Sequence, residues 1–367
     1  MSLLLHEIRR NPLLWLIVFV PLVILAEHLD PAAHTRLFGL SILAILPLAA
    51  LLSLATESVA AKTGDAAGGL LNATLGNLTE LVIGLAALQA GQHMLVKASI
   101  AGAIVSNALF MLGASFLIGG LKHHTMEFNV VNARLLASQL FLATVALLIP
   151  SAVGRADSVE NDAFIQQLSV CLAVLLAVTY ALGLVFSLGT HSESFAAAHG
   201  AHGDEDEAEQ PWPIGMALAT LAGVTVMVAL VSEIFVASVQ EAAVTLGMSQ
   251  AFVGFIVVAL VGGAAEMASA FSGAWKNRLD LSVGIALGSA AQIALFVAPV
   301  LVMASYFIGP APMSLEFWPG AVVMMLIATL TANQVAGNGR AAWFSGVLIL
   351  GVYLVLAITL YLLPPVG

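Results

Sequence analysis

Charged residues are scarce in this sequence. Asp, Glu, Lys and Arg make up only 9% of its 367 residues, and 60% of the residues are apolar. A soluble globular protein carries roughly 25% charged residues. The chain therefore has too few polar side chains to cover a body that dissolves in water, and lipid is the alternative covering.

Cysteine and basic residues are equally rare. The single cysteine, Cys171, excludes an intrachain disulfide and a cysteine-rich metal cluster. Only 11 Lys and Arg stand against 21 Asp and Glu, which argues against a nucleic-acid-binding surface. The sequence also contains no P-loop and no HExxH motif, so neither nucleotide-driven pumping nor metalloprotease chemistry has support.

Long apolar runs, by contrast, occur along the whole chain. About 20 mainly apolar residues are enough to cross the hydrocarbon of a bilayer. The runs lie at 13–30, 36–60, 67–90, 95–120, 133–151, 164–188, 213–238, 250–274, 280–306, 319–334 and 341–363. The first resembles a signal peptide, but no small-x-small cleavage site follows it, so we expect a retained helix. The sequence predicts an all-α polytopic membrane protein with about eleven transmembrane helices.

Basic residues near the helix ends predict the orientation in the membrane. With a cytoplasmic N-terminus, the loops inside the cell carry Arg9, Arg10, Lys62, Lys122, Arg134, Lys276, Arg278 and Arg340, and the loops outside carry Arg36, Lys97 and Arg155. This is the positive-inside bias of a correct topology. We therefore expect a protein of a prokaryotic inner membrane, with its N-terminus in the cytoplasm and its C-terminus outside.

The chain contains an internal repeat with a spacing of 186 positions. The matching pairs are Gly76 and Gly262, Glu80 and Glu266, Gly102 and Gly288, and the polar residues Ser106 and Gln292. Each copy would hold five helices, at 36–188 and 213–367, with an extra helix at 1–35 and an acidic cytoplasmic linker at 189–212. Because five is odd, the second copy would be inverted. Secondary transporters are often built this way, with a site near the midplane where the copies meet.

Glu80 and Glu266 are the strongest candidates for function. A carboxylate at the bilayer centre costs about 2.5–3.5 kcal/mol on insertion scales. One alternative is a pair of protonated acids that hydrogen-bond between helices. Ca²⁺, however, prefers several oxygen ligands, and two glutamates neutralise one divalent cation. When the ion leaves, two buried like charges repel each other and take up protons, so the pair predicts exchange of Ca²⁺ for H⁺.

Neutral oxygen atoms nearby are candidate secondary ligands. The candidates are Asn77, Ser106, Ser289 and Gln292. Gly76 and Asn77 precede Glu80 by four and three residues, so all three would share a face of a continuous helix over 67–90. For each serine, a hydrogen bond to the backbone of its own helix is an equally good interpretation.

Three other acids lie in or near the membrane: Glu57, Glu233 and Glu241. They are candidates for relaying protons or guiding cations, although ordinary interfacial charge explains Glu241 at least as well. The acidic run at 203–210 is explained equally by a solvated loop and by a segment that attracts Ca²⁺ or regulates transport.

The motifs around both glutamates resemble a known family. The first copy reads GNLTE at 76–80 and GAIVSN at 102–107, and the second reads GGAAE at 262–266 and GSAAQ at 288–292. This pattern resembles the cation/proton antiporters called CAX, within the cation/Ca²⁺ exchanger superfamily, and the resemblance covers most of the chain. It implies eleven helices and Glu80 and Glu266 as the main ion ligands, with amide and hydroxyl groups nearby.

Two positions depart from the family pattern. Gly263 stands where Asn is usual, and Ala103 stands where Ser is common. Each departure removes a side-chain oxygen. The resemblance then implies that this site binds Ca²⁺ more weakly, uses water in place of these groups, or prefers another cation.

Other functions are still open at this point. A Na⁺-coupled cation/Ca²⁺ exchanger would use the same architecture, although the two departures do not favour extra Na⁺ sites. A cation channel would need a continuous open pathway. An enzyme is disfavoured, because Glu80 and Glu266 lack a partnering nucleophile or metal-binding histidines. We expect Ca²⁺ and H⁺ as transported ions, no resident cofactor and a surrounding lipid bilayer, and leave a homo-oligomer open.

Overall fold

The computed structural model describes residues 7, 11–63, 65–154, 159–190 and 212–362. In this part of the chain, nine helices are long and apolar enough to cross a membrane, and two bent helix pairs bring the number to eleven. The prediction of about eleven membrane helices is therefore confirmed. The acidic run at 203–210, with most of the predicted linker, lies outside the described residues.

The helices are numbered here in chain order, and each half of a bent pair has its own number. They are α1 (Pro12–Leu29), α2 (His34–Thr63), α3 (Asp65–Leu75), α4 (Leu78–Gln89), α5 (His93–His123), α6 (Val130–Val153), α7 (Asp162–Thr190), α8 (Ile214–Thr245), α9 (Gln250–Gly262), α10 (Ala264–Trp275), α11 (Leu279–Ala304), α12 (Pro319–Ala336) and α13 (Trp343–Leu362).

Two helices form the centre of the bundle. Buried residues make up 89% of the most apolar stretch of α5 and 78% of that of α11, against only 17% for α7. The outer helices expose large apolar side chains such as Leu182, Val226 and Leu354. Because such faces are covered by lipid in a membrane, the exposed surface agrees with the low polarity of the sequence.

Two of the predicted spans are broken inside the membrane. The axes of α3 and α4 differ by 41°, and those of α9 and α10 differ by 59°. The continuous helix predicted over 67–90 is therefore wrong, and Asn77 lies at the break instead of on a helix face shared with Glu80. Glycines with low helix propensity stand at both breaks, and long apolar stretches lie on either side of them. Irregular backbone at membrane depth is tolerated only where it is buried in protein or lines a cavity.

The two halves share further features. Helices α4 and α10 both have 12 residues, and they begin 186 positions apart, at Leu78 and Ala264. The helix that follows each of them, α5 or α11, contains a π-helical segment, at Ser106–Met111 or at Ile293–Val297. The predicted repeat would produce these pairs, and its inverted five-helix layout stays a prediction.

A short antiparallel strand pair was not predicted. Strand β1 (Thr125–Glu127) pairs with β2 (Arg340–Ala342) and joins the α5–α6 connection to the α12–α13 connection. Strands of three residues are too short to produce a recognisable alternation of apolar and polar residues.

Small residues bring the central helices into backbone contact. Gly102 of α5 lies against the backbone of Phe255 in α9, and Gly254 of α9 lies against Ala98 and the Leu95 carbonyl of α5. In membranes, such small residues let helices approach closely, and close packing then stabilises the pair. Helix α9 is thereby held directly against the central helix α5.

We expect Gly102→Ala to destabilise the protein by about 1–3 kcal/mol or more, because the added methyl group would overlap the backbone of Phe255. The measurement is Tm of the purified protein in detergent. Gly351→Ala is the matched control, since no atom lies within 4 Å of a methyl group added there. Equal Tm values for the two variants would contradict the described contact between α5 and α9.

Candidate cation site

Each glutamate lies at the start of a half-helix. Glu80 is the third residue of α4 and Glu266 is the third residue of α10, and both side chains are partly buried. The first turn of a helix carries free N–H groups and the positive end of the helix dipole, which favour a nearby negative charge. The two helix breaks therefore place both carboxylates where the backbone can support them.

The two glutamates lie close together. Their carboxylates are near enough to interact electrostatically. The Glu80 side chain packs against Gly262, where a methyl group would lie 3.1 Å from its Cγ and 3.4 Å from its Oε1. Gly262 thus leaves the space that lets the carboxylate of the first half reach the break of the second half.

A chain of hydrogen bonds connects three of the predicted ligands to Glu266. The Ser289 hydroxyl contacts both the Glu266 carboxylate and, at 2.9 Å, Oδ1 of Asn77. The Asn77 amide in turn donates to Oε1 of Gln292 at 2.6 Å. Because a hydroxyl has one proton, Ser289 donates either to Glu266 or to Asn77. A proton on Glu266 would satisfy both contacts, since Glu266 could then donate to Ser289 and Ser289 to Asn77.

Ser106 lies outside this chain of hydrogen bonds. Its side chain is fully buried in the π-helical segment of α5. The Ser106 hydroxyl lies near that of Tyr353, although neither hydroxyl has a hydrogen bond of normal geometry. The structure therefore joins Asn77, Ser289 and Gln292 to Glu266 by hydrogen bonds, and Ser106 has no part in that network.

The neighbouring residue, Asn107, was not among the predicted ligands. It is 1% exposed, and neither end of its amide has a hydrogen-bond partner. A methyl group on Gly263 would lie 3.5 Å from its Oδ1, so Asn107 faces the break in the second half. A buried unpaired amide costs roughly 1–3 kcal/mol. Asn107 is thus a candidate oxygen donor, and its place at the end of the GAIVSN motif is the sequence signal that could have found it.

The three additional acids have separate positions. Glu57 accepts a hydrogen bond from Ser53 of the same helix, α2, at 3.1 Å. Glu233 and Glu241 lie on the exposed face of α8. A role in conducting protons or cations stays a prediction for all three.

An open cleft connects the site to one end of the bundle. It has a volume of about 100 Å³, is lined by α3, α6, α7 and α11, and reaches Gln292. Asn132, Gln139 and Tyr180 add polar groups to its walls. The cleft opens where α6 begins and α7 ends, which the sequence-based topology predicts to be the cytoplasmic side.

A loop covers the opposite end of the bundle. This loop, 305–318, connects α11 to α12, and its residues Leu315 and Phe317 are buried. The N–H of Leu315 donates to the Ser169 hydroxyl at 2.9 Å, and that of Phe317 donates to the Ser151 hydroxyl at 2.8 Å. The described residues thus have a cleft at one end of the bundle and a packed loop at the other. A separate, smaller pocket between α5, α9 and α11 reaches Glu80.

Comparison with known proteins gives a consistent picture. The family model for the sodium/calcium exchanger protein matches residues 34–189 and 216–362. The chain is 38% identical to a Ca²⁺/H⁺ antiporter of Aphanothece halophytica, over 96% of each chain, and 39% identical to a Ca²⁺/H⁺ antiporter of Synechocystis sp., over 95% of this chain and 96% of that one. The solved structure of native YfkE is 34% identical and superimposes with a TM-score of 0.81, over 96% of this chain and 100% of that chain. The protein is therefore an integral membrane transporter that belongs to the sodium/calcium exchanger family.

Proposed function

We propose that this protein exchanges Ca²⁺ for H⁺ across the membrane, with Glu80 and Glu266 binding Ca²⁺ or protons in turn. The observation that carries the proposal is the pairing of these two carboxylates at two helix breaks inside the bundle. Together they neutralise one divalent cation. The Ca²⁺/H⁺ antiporters to which the chain is similar along almost its full length support the same function.

The other oxygen ligands must be neutral. Ca²⁺ takes 6–8 oxygen atoms in proteins. In the described part of the chain, no group of three or more His, Cys, Asp or Glu side chains is placed to hold a metal ion. Asn77, Ser289 and Gln292 supply amide and hydroxyl oxygens beside the glutamates, and carbonyl groups at the helix breaks or water would complete the shell. A site with only two charged ligands suits an ion that must be bound and then released.

Proton coupling follows from charge. When Ca²⁺ departs, the two carboxylates have no counter-ion and repel each other, so protons replace the cation. The Ser289 hydroxyl, placed between Glu266 and Asn77, fits both states because it can donate to either acceptor. Exchange then requires that the loaded site face each side of the membrane in turn.

The geometry favours an antiporter over the two alternatives. A channel needs one continuous pathway open at both ends, whereas in the described residues the cleft at Gln292 and the smaller pocket at Glu80 share no lining residue. A Na⁺-coupled exchanger needs oxygen ligands for additional monovalent ions. Gly263 and Ala103 have no side-chain oxygen to offer at the two positions where the family pattern has one.

We expect Glu80→Gln and Glu266→Gln each to abolish Ca²⁺ exchange without preventing insertion, because the amide keeps the volume but neither neutralises Ca²⁺ nor carries the proton. The measurement is ⁴⁵Ca uptake into everted vesicles with an imposed pH gradient, with and without Na⁺. Glu127→Gln is the matched control, since Glu127 forms only an exposed ion pair with Arg340, and such pairs contribute little.

Two results of this experiment would contradict the proposal. Wild-type uptake in either glutamine variant would show that the replaced glutamate is not an essential ligand of the transported ion. If uptake by the wild-type protein requires Na⁺ and does not depend on the pH gradient, then Na⁺ and not H⁺ is the coupling ion.

Asn77 and Gln292 should act as one unit in Ca²⁺ binding, because their amides bond to each other at 2.6 Å. We expect Asn77→Ala and Gln292→Ala each to weaken binding about tenfold, and the double variant to be little worse than either single one. Calorimetric titration of the purified variants with Ca²⁺ measures the three affinities. Additive losses would show that the two side chains contribute independently, against the described network.

A further inference from the structure

The break between α3 and α4 changes the hydrogen bonding of the Ala73 carbonyl. In an unbroken helix this carbonyl would accept from the N–H of Asn77, four residues later. Here the hydroxyl of Tyr180, on α7, donates to it at 2.7 Å. A side chain from an outer helix thus supports the end of the broken helix that precedes Asn77.

The ring of Tyr180 makes a second contact with the site. It stacks on Phe296 of α11, with ring centroids 5.3 Å apart and an interplanar angle of 29°. Phe296 follows Gln292 by four residues, so both lie on the same side of α11. Tyr180 therefore touches α3, which ends just before Asn77, and α11, which carries Gln292, and it also lines the open cleft.

We propose that Tyr180 is a positioning residue for the cation site, holding the end of α3 with its hydroxyl and α11 with its ring at the spacing that Asn77 and Gln292 need. This proposal rests on the proposed function, because the site that it positions is the Ca²⁺ site. The stacking on Phe296 needs only a ring. The hydroxyl is therefore the group whose role can be tested separately.

The test is a calorimetric Ca²⁺ titration of the purified full-length protein carrying Tyr180→Phe. We expect Kd to rise about three- to tenfold, as the loss of one hydrogen bond allows. Tyr361→Phe is the matched control, because Tyr361 is exposed on α13 and its ring packs edge-on against Phe252. This control should keep the wild-type Kd.

A second background separates positioning from general stability. If Tyr180 acts through Asn77, the effect of Tyr180→Phe on Kd should disappear when Asn77 is already alanine. A residue that only stabilises the fold would instead lower Tm measured without Ca²⁺ and leave Kd unchanged.

The proposal is overturned if Tyr180→Phe binds Ca²⁺ like the wild type, or if its effect is undiminished in the Asn77→Ala background. Should Tyr180→Phe fail to purify as a folded protein, Phe296→Leu removes the ring contact alone and is judged by the same two criteria. A wild-type protein that binds no Ca²⁺ would contradict the proposed function itself, so the two failures can be told apart.

Discussion

A carboxylate inside a lipid-covered bundle must find protein groups that replace water, because hydrocarbon does not solvate charge. Two such carboxylates, Glu80 and Glu266, lie near each other in this structure. Each is supported by the first turn of a half-helix, and Glu266 also contacts the Ser289 hydroxyl. The helix breaks, the glycine beside Glu80 and the amide pair next to Ser289 all serve this requirement.

The arrangement of the surrounding helices follows from the same requirement. Half-helices with free ends must be enclosed by protein, and the buried helices α5 and α11 provide that enclosure. Backbone contacts at Gly102 and Gly254 hold α9 against α5. Because α9 ends at the break beside Gly263, these contacts also fix the position of that break. The outer helices then separate this polar interior from lipid. The cleft reaches Gln292 from one end of the bundle, and a separate pocket reaches Glu80.

Much of this arrangement could be predicted from the sequence. Hydropathy alone revealed the membrane helices, and the spacing of 186 positions singled out Glu80 and Glu266 because acids inside apolar runs are rare. Neutral oxygen-bearing side chains in the same and the following apolar runs added Asn77, Ser106, Ser289 and Gln292. Hydropathy could not show the breaks, because the long apolar runs at 67–90 and 250–274 extend on both sides of Gly76 and Gly263.

Contacts between distant helices were also hidden in the sequence. Tyr180 and Ala73 are 107 positions apart, and a tyrosine on an outer helix is ordinarily read as an interfacial residue. Asn107 differs from Ser106 by one position in the same motif, and only the packing shows which of them faces Gly263. Which side of a helix faces the site depends on local geometry, here the π-helical segments of α5 and α11, that the apolar pattern does not record.

Competition between Ca²⁺ and protons for one pair of carboxylates is the central claim. Its most direct test is the number of protons released per Ca²⁺ bound, measured by calorimetry of the purified protein in buffers of different ionisation enthalpy. Protonated carboxylates must ionise to bind the cation, so apparent Ca²⁺ affinity should rise with pH, and proton release should fall towards zero at high pH, where both groups are already ionised. A proton count near zero across the whole pH range would contradict Ca²⁺/H⁺ exchange at this site.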